Sequence, residues 1–399
     1  MAVTPFKVEV PGATLQDLKE RLDRTRWPDE IPGSNWDYGT NLDYLKELVE
    51  YWRARFDWRS QERMINSFLH FKTDVDGMGI HFIHEKGMGP NPMPLVITHG
   101  WPGTFFEMYK VIPMLSDPAS HGGDQEDSFD VVSPSLPGFG FSDHPTQRGM
   151  QVLKVADMWA KLMTENLDYP RFAAVGGDIG AGVTSRLGFA HPDKLTGIHL
   201  TSITRPTPYL GPGSRPLNKA EAAHSAQREK WQRDEGGYAH IQGTKPQTLA
   251  YAMMDSPVGT AAWITEKYKS WSDLKDDDIE SVYSKDTLLT NIMVYITTGT
   301  FNTASWIYYG RRKEGGRILS PSGRRVAIPT GCAVFPKELL AWPPQSYVNR
   351  VYNVTHWTEF PRGGHFAAME QPEMLVDDIR KFCRSLRQKG AGYFSKEDS

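Results

Sequence analysis

The sequence has little cysteine: two residues, Cys332 and Cys383, in a chain of 399. Two thiols support no disulfide framework, so a hydrophobic core must hold the chain together, and the scarcity fits a reducing cytoplasm. It also lacks a dominant charge. A formal net charge of −3, from 45 basic and 48 acidic residues, leaves no footprint for nucleic acid or an anionic membrane. Long hydrophobic runs are missing. The opening "MAVTPFKVEVPGATLQDLKE" meets charges early, so neither a signal peptide nor a membrane anchor is expected. No repeat or low-complexity segment occurs. "GFGFSD" fails the dinucleotide fingerprint and no P-loop is found. His81 and His84 stand three apart on an expected strand, facing opposite sides, so they cannot share a metal. No cofactor and no metal are therefore expected. The serine nucleophile motif G-x-S-x-G is absent throughout.

What remains is a soluble globular composition, 39% apolar and 23% charged, long enough for one large domain with insertions or for two domains. "TLQDLKERLDRTRW" and "NLDYLKELVEYWRARF" carry apolar residues at helical spacing, including Leu42, Leu45, Leu48, Val49, Trp52 and Phe56. "SFLHFKTDVDGMGIHFIHEK" predicts a strand pair around the turn Asp76-Gly77. From Met93 the pattern changes to short apolar runs, "PLVITHG", "FDVVSPSLPG", "FAAVGG" and "LTGIHLTS", each suited to a strand buried on both faces. The helical "VLKVADMWAKLMTENL" lies between the second and third, and such alternation predicts an α/β domain with a mainly parallel sheet. A Pro-, Gly- and Trp-rich helical stretch then interrupts it. "RVAIPTGCAVFP" and "YNVTHWTEFPRGGHF" return to strand-then-loop before the amphipathic "PEMLVDDIRKFCRSL". The boundaries expected are an N-terminal extension over 1–92, core over 93–205 and 317–399, and a helical lid over 206–316.

The chemistry concentrates in three loops. "AAVGGDIGAG" reads as a buried strand, a glycine-cramped turn and a helix start, with Asp178 at the tip. Small neighbours such as Gly176, Gly177 and Gly180 suit a nucleophile elbow, where the backbone is tight. A helix-capping aspartate reads equally well from this stretch alone. "THGWPG" follows a strand and breaks into glycine and proline, which leaves the N–H groups near Trp101 to point at a ligand. With the N–H of Ile179, after the aspartate, they suit an oxyanion hole. "FPRGGHFAAME" puts His365 where this chain order, nucleophile then acid then histidine, requires a base. For the orienting acid, "PTGCAVFPKELL" offers Glu338 beyond a strand, with Glu359 and Asp377 as rivals.

These loops, in this order, resemble the α/β-hydrolase epoxide hydrolases of the microsomal and fungal type. "LVEYWRARFDWR" and "IHFIHEK" look like that branch's N-terminal extension. "HGWPG" is similar to its oxyanion motif, "GGDIG" to its nucleophile motif, "GYAHIQGTKPQT" and "TTGT" to its lid, and "RGGHFAAME" to its histidine loop. The resemblance implies Asp178 as nucleophile, His365 as base and Glu338 as its partner. It also implies two lid tyrosines that hold the epoxide oxygen: Tyr238, and either Tyr308 or its neighbour Tyr309. Substrate would then be a small-molecule epoxide, with water as co-substrate and a cytoplasmic location. A homodimer is what fungal relatives suggest. Trp101, Trp231, Phe301, Trp306 and Tyr309, with Trp263, are expected to line an apolar pocket suited to a bulky aryl or polycyclic epoxide. Detoxification and antibiotic biosynthesis are both roles found among such proteins. A haloalkane or haloacid dehalogenase would use the same triad but needs halide donors, often a tryptophan where Ile179 stands. A non-catalytic ligand receptor would need no complete set of catalytic groups, and a carboxylesterase would need the serine.

Overall fold

A computed structural model describes residues 2–203, 208, 210–315 and 324–391. The expected boundaries at 205/206 and 316/317 fall outside the described residues. Among the described residues, nine strands form a single sheet: β1 (Thr4–Phe6), β2 (His70–Val75), β3 (Met78–Glu85), β4 (Met93–Thr98), β5 (Phe129–Pro134), β6 (Phe172–Gly176), β7 (Leu195–Leu200), β8 (Val326–Val334) and β9 (Tyr352–Glu359). Their order is β1-β2-β3-β5-β4-β6-β7-β8-β9. β1, β2 and β3 pair antiparallel with their neighbours, and from β5 through β9 the pairing is parallel. The sheet is thus an α/β-hydrolase core extended at one edge by the N-terminal segment.

Burial explains the strand sequences. All of β5 and β6 is buried, as are the last four residues of β4 and of β7, because helices cover both faces of the parallel part. The hairpin of β2 and β3 turns at Asp76 and Gly77, both at positive φ. β1, three residues long, leaves too short a trace for a periodic pattern to reveal.

The N-terminal extension is bound to the lid. Its helix Leu42–Ala54 buries Leu45, Leu48, Val49 and Trp52, side chains that each gain about 1.5–3 kcal/mol on leaving water. Polar contacts then tie extension to lid: Thr40 Oγ1 donates to the Ala262 carbonyl at 2.7 Å, and the Tyr51 hydroxyl to Asp286 at 2.9 Å. Among the described residues of 206–316 the regular elements are all helical, from Lys219–Asp234 to Phe301–Lys313. Its first helix starts with a full capping box between Asn218 and Glu221. No helix among the described residues is long and apolar enough to cross a membrane.

Candidate active site

Strand β6 ends at Gly176, and the helix Asp178–Ala190 begins two residues later. Between them the chain turns so sharply that Asp178 takes a φ of 46°, in the left-handed region that L-residues avoid. Small residues make the turn feasible. A Cβ on Gly180 would lie 2.0 Å from the Thr98 carbonyl oxygen, and one on Gly100 would lie 2.3 Å from Asp178 Oδ1. The backbone N–H of Asp178 donates to Ser202 Oγ at 2.8 Å, which fixes the residue from the β7 side. Its carboxylate accepts the Trp101 N–H at 2.8 Å, so the side chain engages the loop after β4. Ile179 is the second residue of the helix, so its N–H has no acceptor within the helix; its side chain lines the cavity above.

The "HGWPG" loop is held by the lid as well as by the sheet. Asn291 Nδ2 donates to the Pro102 carbonyl at 2.8 Å, and the Tyr295 hydroxyl to the Gly103 carbonyl at 2.9 Å. Both side chains project from the lid helix Lys285–Thr298. The loop that carries the Trp101 N–H is thereby rigid on both sides.

His365 lies in the loop after β9. Its Nδ1 is 2.6 Å from Glu338 Oε1, with both side chains almost wholly buried. The two loops are stitched together by the Lys337 N–H, which donates to the Gly363 carbonyl at 3.0 Å. The rival acids lie elsewhere: Glu359 accepts from Trp357 Nε1, and the exposed Asp377 pairs with the buried Arg380. Burial, the largest single influence on His365, pushes its imidazole down. Glu338, then Asp178 and Glu107, outweigh it and hold the group up at about 9.

Two neighbouring carboxyls were given no role by the sequence: Glu107, and Glu370, which closes the histidine loop "RGGHFAAME". Glu370 accepts N–H bonds from Gly364, Phe366 and Asp273, each at 2.8 Å, and so clamps the backbone on either side of His365. Burial pushes its carboxyl up to about 7 against those donors. Glu107 lies against the turn after β4, where a Cβ on Gly103 would come 2.2 Å from its Oε2. Burial pushes it up to about 8, with His365 opposing and Asp178 assisting. Only the turn-rich sequence "THGWPGTFFE" hints that Glu107 folds back on its own loop.

Over Asp178 opens a cavity of about 700 Å³, lined by Ile179, Trp231, Tyr238 and Tyr308 among others. Tyr238 stacks on Trp101 with ring centroids 5.1 Å apart, and Tyr308 meets both rings edge-on at 6.1 Å. Trp271 lies between this group and His365, 5.1 Å from Tyr238 and 5.1 Å from His365. Burial holds the Tyr308 phenol well above its usual range. Tyr309 points away: with Trp306, three residues earlier on the same helix face, it lines a separate cavity by Pro145–Met150. Phe301 is buried in the core at the start of that helix and is not among the cavity-lining residues. Trp263 donates to Gln242 and borders the N-terminal extension. His81 is engaged by His70 and Ser135, and His84 by Tyr169. No cluster of three metal-ligating side chains occurs among the described residues.

Comparison with known proteins agrees with this architecture. Residues 3–108 match the family described as the epoxide hydrolase N terminus, and residues 93–239 match the alpha/beta hydrolase fold. The chain is 39% identical to epoxide hydrolase 1 of Oryctolagus cuniculus, over 96% of this chain and 88% of that protein. It superposes on the Aspergillus niger epoxide hydrolase with a TM-score of 0.83 at 29% identity, covering 97% of each chain. The juvenile hormone epoxide hydrolase of Bombyx mori gives 0.85 at 27% identity, covering 98% of this chain and 96% of that one. With both family segments present and the likeness running along nearly its whole length, the chain belongs to the epoxide hydrolases of the α/β-hydrolase fold.

Proposed function

We propose that the enzyme opens its epoxide through a covalent ester on Asp178. The observation that carries this reading is the convergence, on one cavity, of the Asp178 carboxylate and the Tyr238 and Tyr308 side chains. An Asp178 oxygen attacks one oxirane carbon and the C–O bond breaks. Its electron pair goes to the departing oxygen, which takes a proton from a lid phenol. A phenol suits this task because it is a better acid than an aliphatic hydroxyl and stays protonated until negative charge develops beside it.

The ester is then hydrolysed. His365, oriented by Glu338, takes a proton from water as the oxygen adds to Cγ of Asp178. The tetrahedral oxyanion rests on the N–H groups of Trp101 and Ile179, where one aimed donor is worth about 3 kcal/mol. On collapse the departing diol oxygen receives the proton from His365. The proton left on the regenerated Asp178 carboxyl returns to the phenolate, so the sum is epoxide plus water to vicinal diol. A serine in place of Asp178 would form an ether with no carbonyl for water to attack.

The cavity's volume and its aromatic wall of Trp231, Tyr238 and Tyr308 favour a bulky aryl or polycyclic epoxide. The two cysteines are free and buried, which suits the cytoplasm. Intact-mass measurement of His365→Gln with styrene oxide tests the scheme. One substrate mass added per chain, mapped to the peptide holding Asp178, is the expected result. Normal substrate binding with no adduct would refute it.

A further inference from the structure

The cavity over Asp178 carries more positive charge than the reaction requires. Arg228, Arg233, Arg311 and Arg312 line it, and among the described lining residues Asp178 supplies the single carboxylate. They come from two lid helices, Lys219–Asp234 and Phe301–Lys313. Arg311 and Arg312 follow Tyr308 by three and four residues, so the same helix face that presents the phenol presents both guanidiniums. Arg228 and Trp231 are likewise three apart.

Several guanidiniums elsewhere meet carboxylates, Arg215 and Arg350 at Glu221, Arg59 at Glu62, Arg53 at Asp23, while Arg186 and Arg387, outside the cavity, each bury an unpartnered Nε. None of the four in the cavity forms an ion pair with a described carboxylate. Arg312 Nη1 lies 3.3 Å from His240 Nδ1. Arg311 Nη2 is sealed from solvent with no hydrogen-bond partner, and Arg228 is half-buried. Burial pulls the Arg311 guanidinium down from its usual range; Asp178, Tyr308 and Tyr238 oppose this and Arg228 adds to it. Desolvating a guanidinium and leaving an N–H unmet is costly unless an anion satisfies it on binding.

We propose that the substrate is an epoxide bearing an oxyanion substituent, a carboxylate or a phosphate, which Arg311 and Arg228 hold while the oxirane lies over Asp178. This rests on the catalytic reading of Asp178 given above. The planar fork of a guanidinium matches either oxyanion in a two-point contact, which fixes orientation as well as affinity. Trp231 packs against the organic body between the two ends. Arg233 and Arg312, exposed at the rim, attract the anion from solution.

Matched substrates test this with the full-length protein: styrene oxide, its para-carboxylate and its para-phosphate. At low salt the wild type is expected to favour at least one anionic analogue by about tenfold or more in kcat/KM, mainly through KM. The margin should shrink as KCl rises from about 20 mM to about 300 mM. Arg311→Gln and Arg228→Gln should bring the ratio of anionic to neutral kcat/KM close to one. Arg24→Gln, a surface residue paired with Glu20, should leave the ratio unchanged. If the cavity variants fail to fold, the wild-type ratio and its salt dependence decide alone. Preference for only one analogue supports the proposal and assigns the oxyanion. Hydrolysis of all three with a ratio at or below one overturns the proposal alone. Turnover of none overturns the catalytic reading and the proposal with it.

Discussion

Replacing Glu338 with Gln changes one hydrogen bond and should split the reaction in two. The Glu338 Oε1 to His365 Nδ1 contact is 2.6 Å between side chains that are 2% and 3% exposed, so solvent screens it little. Despite the downward push of burial, the carboxylates around His365 raise its imidazole from 6.5 to about 9, a preference for the imidazolium on the order of 3 kcal/mol. Gln cannot supply that charge. Its amide can instead donate to Nδ1, leaving the proton on Nε2 and no acceptor for water. A trapped tautomer of this kind costs about 10³–10⁴-fold in turnover. In the proposed scheme attack of Asp178 on the epoxide does not use the base, so the ester should form almost as before and then persist. Rapid-quench analysis should show epoxide consumed in a burst equal to the enzyme concentration, followed by a steady rate lowered by about 10³-fold or more. The pH dependence has a definite sign. In the resting enzyme Asp178 helps hold His365 protonated; ester formation cancels that charge, so the base titrates below about 9 in the intermediate. Turnover of the wild type should therefore fall on the acid side of that value, and Glu338→Gln should move the limb to lower pH. A steady rate close to wild type, loss of the burst, or an unmoved acid limb would refute the reasoning.

The lid phenols and the loop clamp give two further tests. Tyr238→Phe and Tyr308→Phe should each slow the alkylation phase by about 10²-fold in single turnover while leaving ester hydrolysis near its wild-type rate; equal slowing of both phases would contradict a proton-donor role. Glu370→Gln leaves Gly364, Phe366 and Asp273 with a weaker acceptor. Unfolding in urea should show a loss of about 1–3 kcal/mol, and kcat should drop with KM little changed, because the loop carrying His365 loosens.

Much of this was legible because the tight turn at Asp178 forces the backbone into unusual sequence. The glycines around Asp178 are there because Thr98 and the aspartate itself occupy the space a Cβ would need. The strands of the parallel sheet announce themselves because both faces are buried. Aromatic composition said less. Trp306 and Tyr309 looked like pocket residues, yet one residue of helix turns a side chain by about 100°, so Tyr308 faces Asp178 while they face another cavity. The grip of Asn291 and Tyr295 on "HGWPG" was invisible because it joins residues nearly two hundred positions apart. The roles of Glu107 and of Glu370, which closes "RGGHFAAME", were hidden for another reason. Ordinary glutamates in helical turns look alike until the fold removes their water.

Oxygen bookkeeping over a single turnover tests the covalent ester most directly. With enzyme in excess in water enriched in oxygen-18, the first diol should carry no label, because its new oxygen comes from the carboxylate of residue 178, and the peptide containing that residue should gain one labelled atom. Label in the first diol, with none in the peptide, would mean that water attacks the epoxide directly.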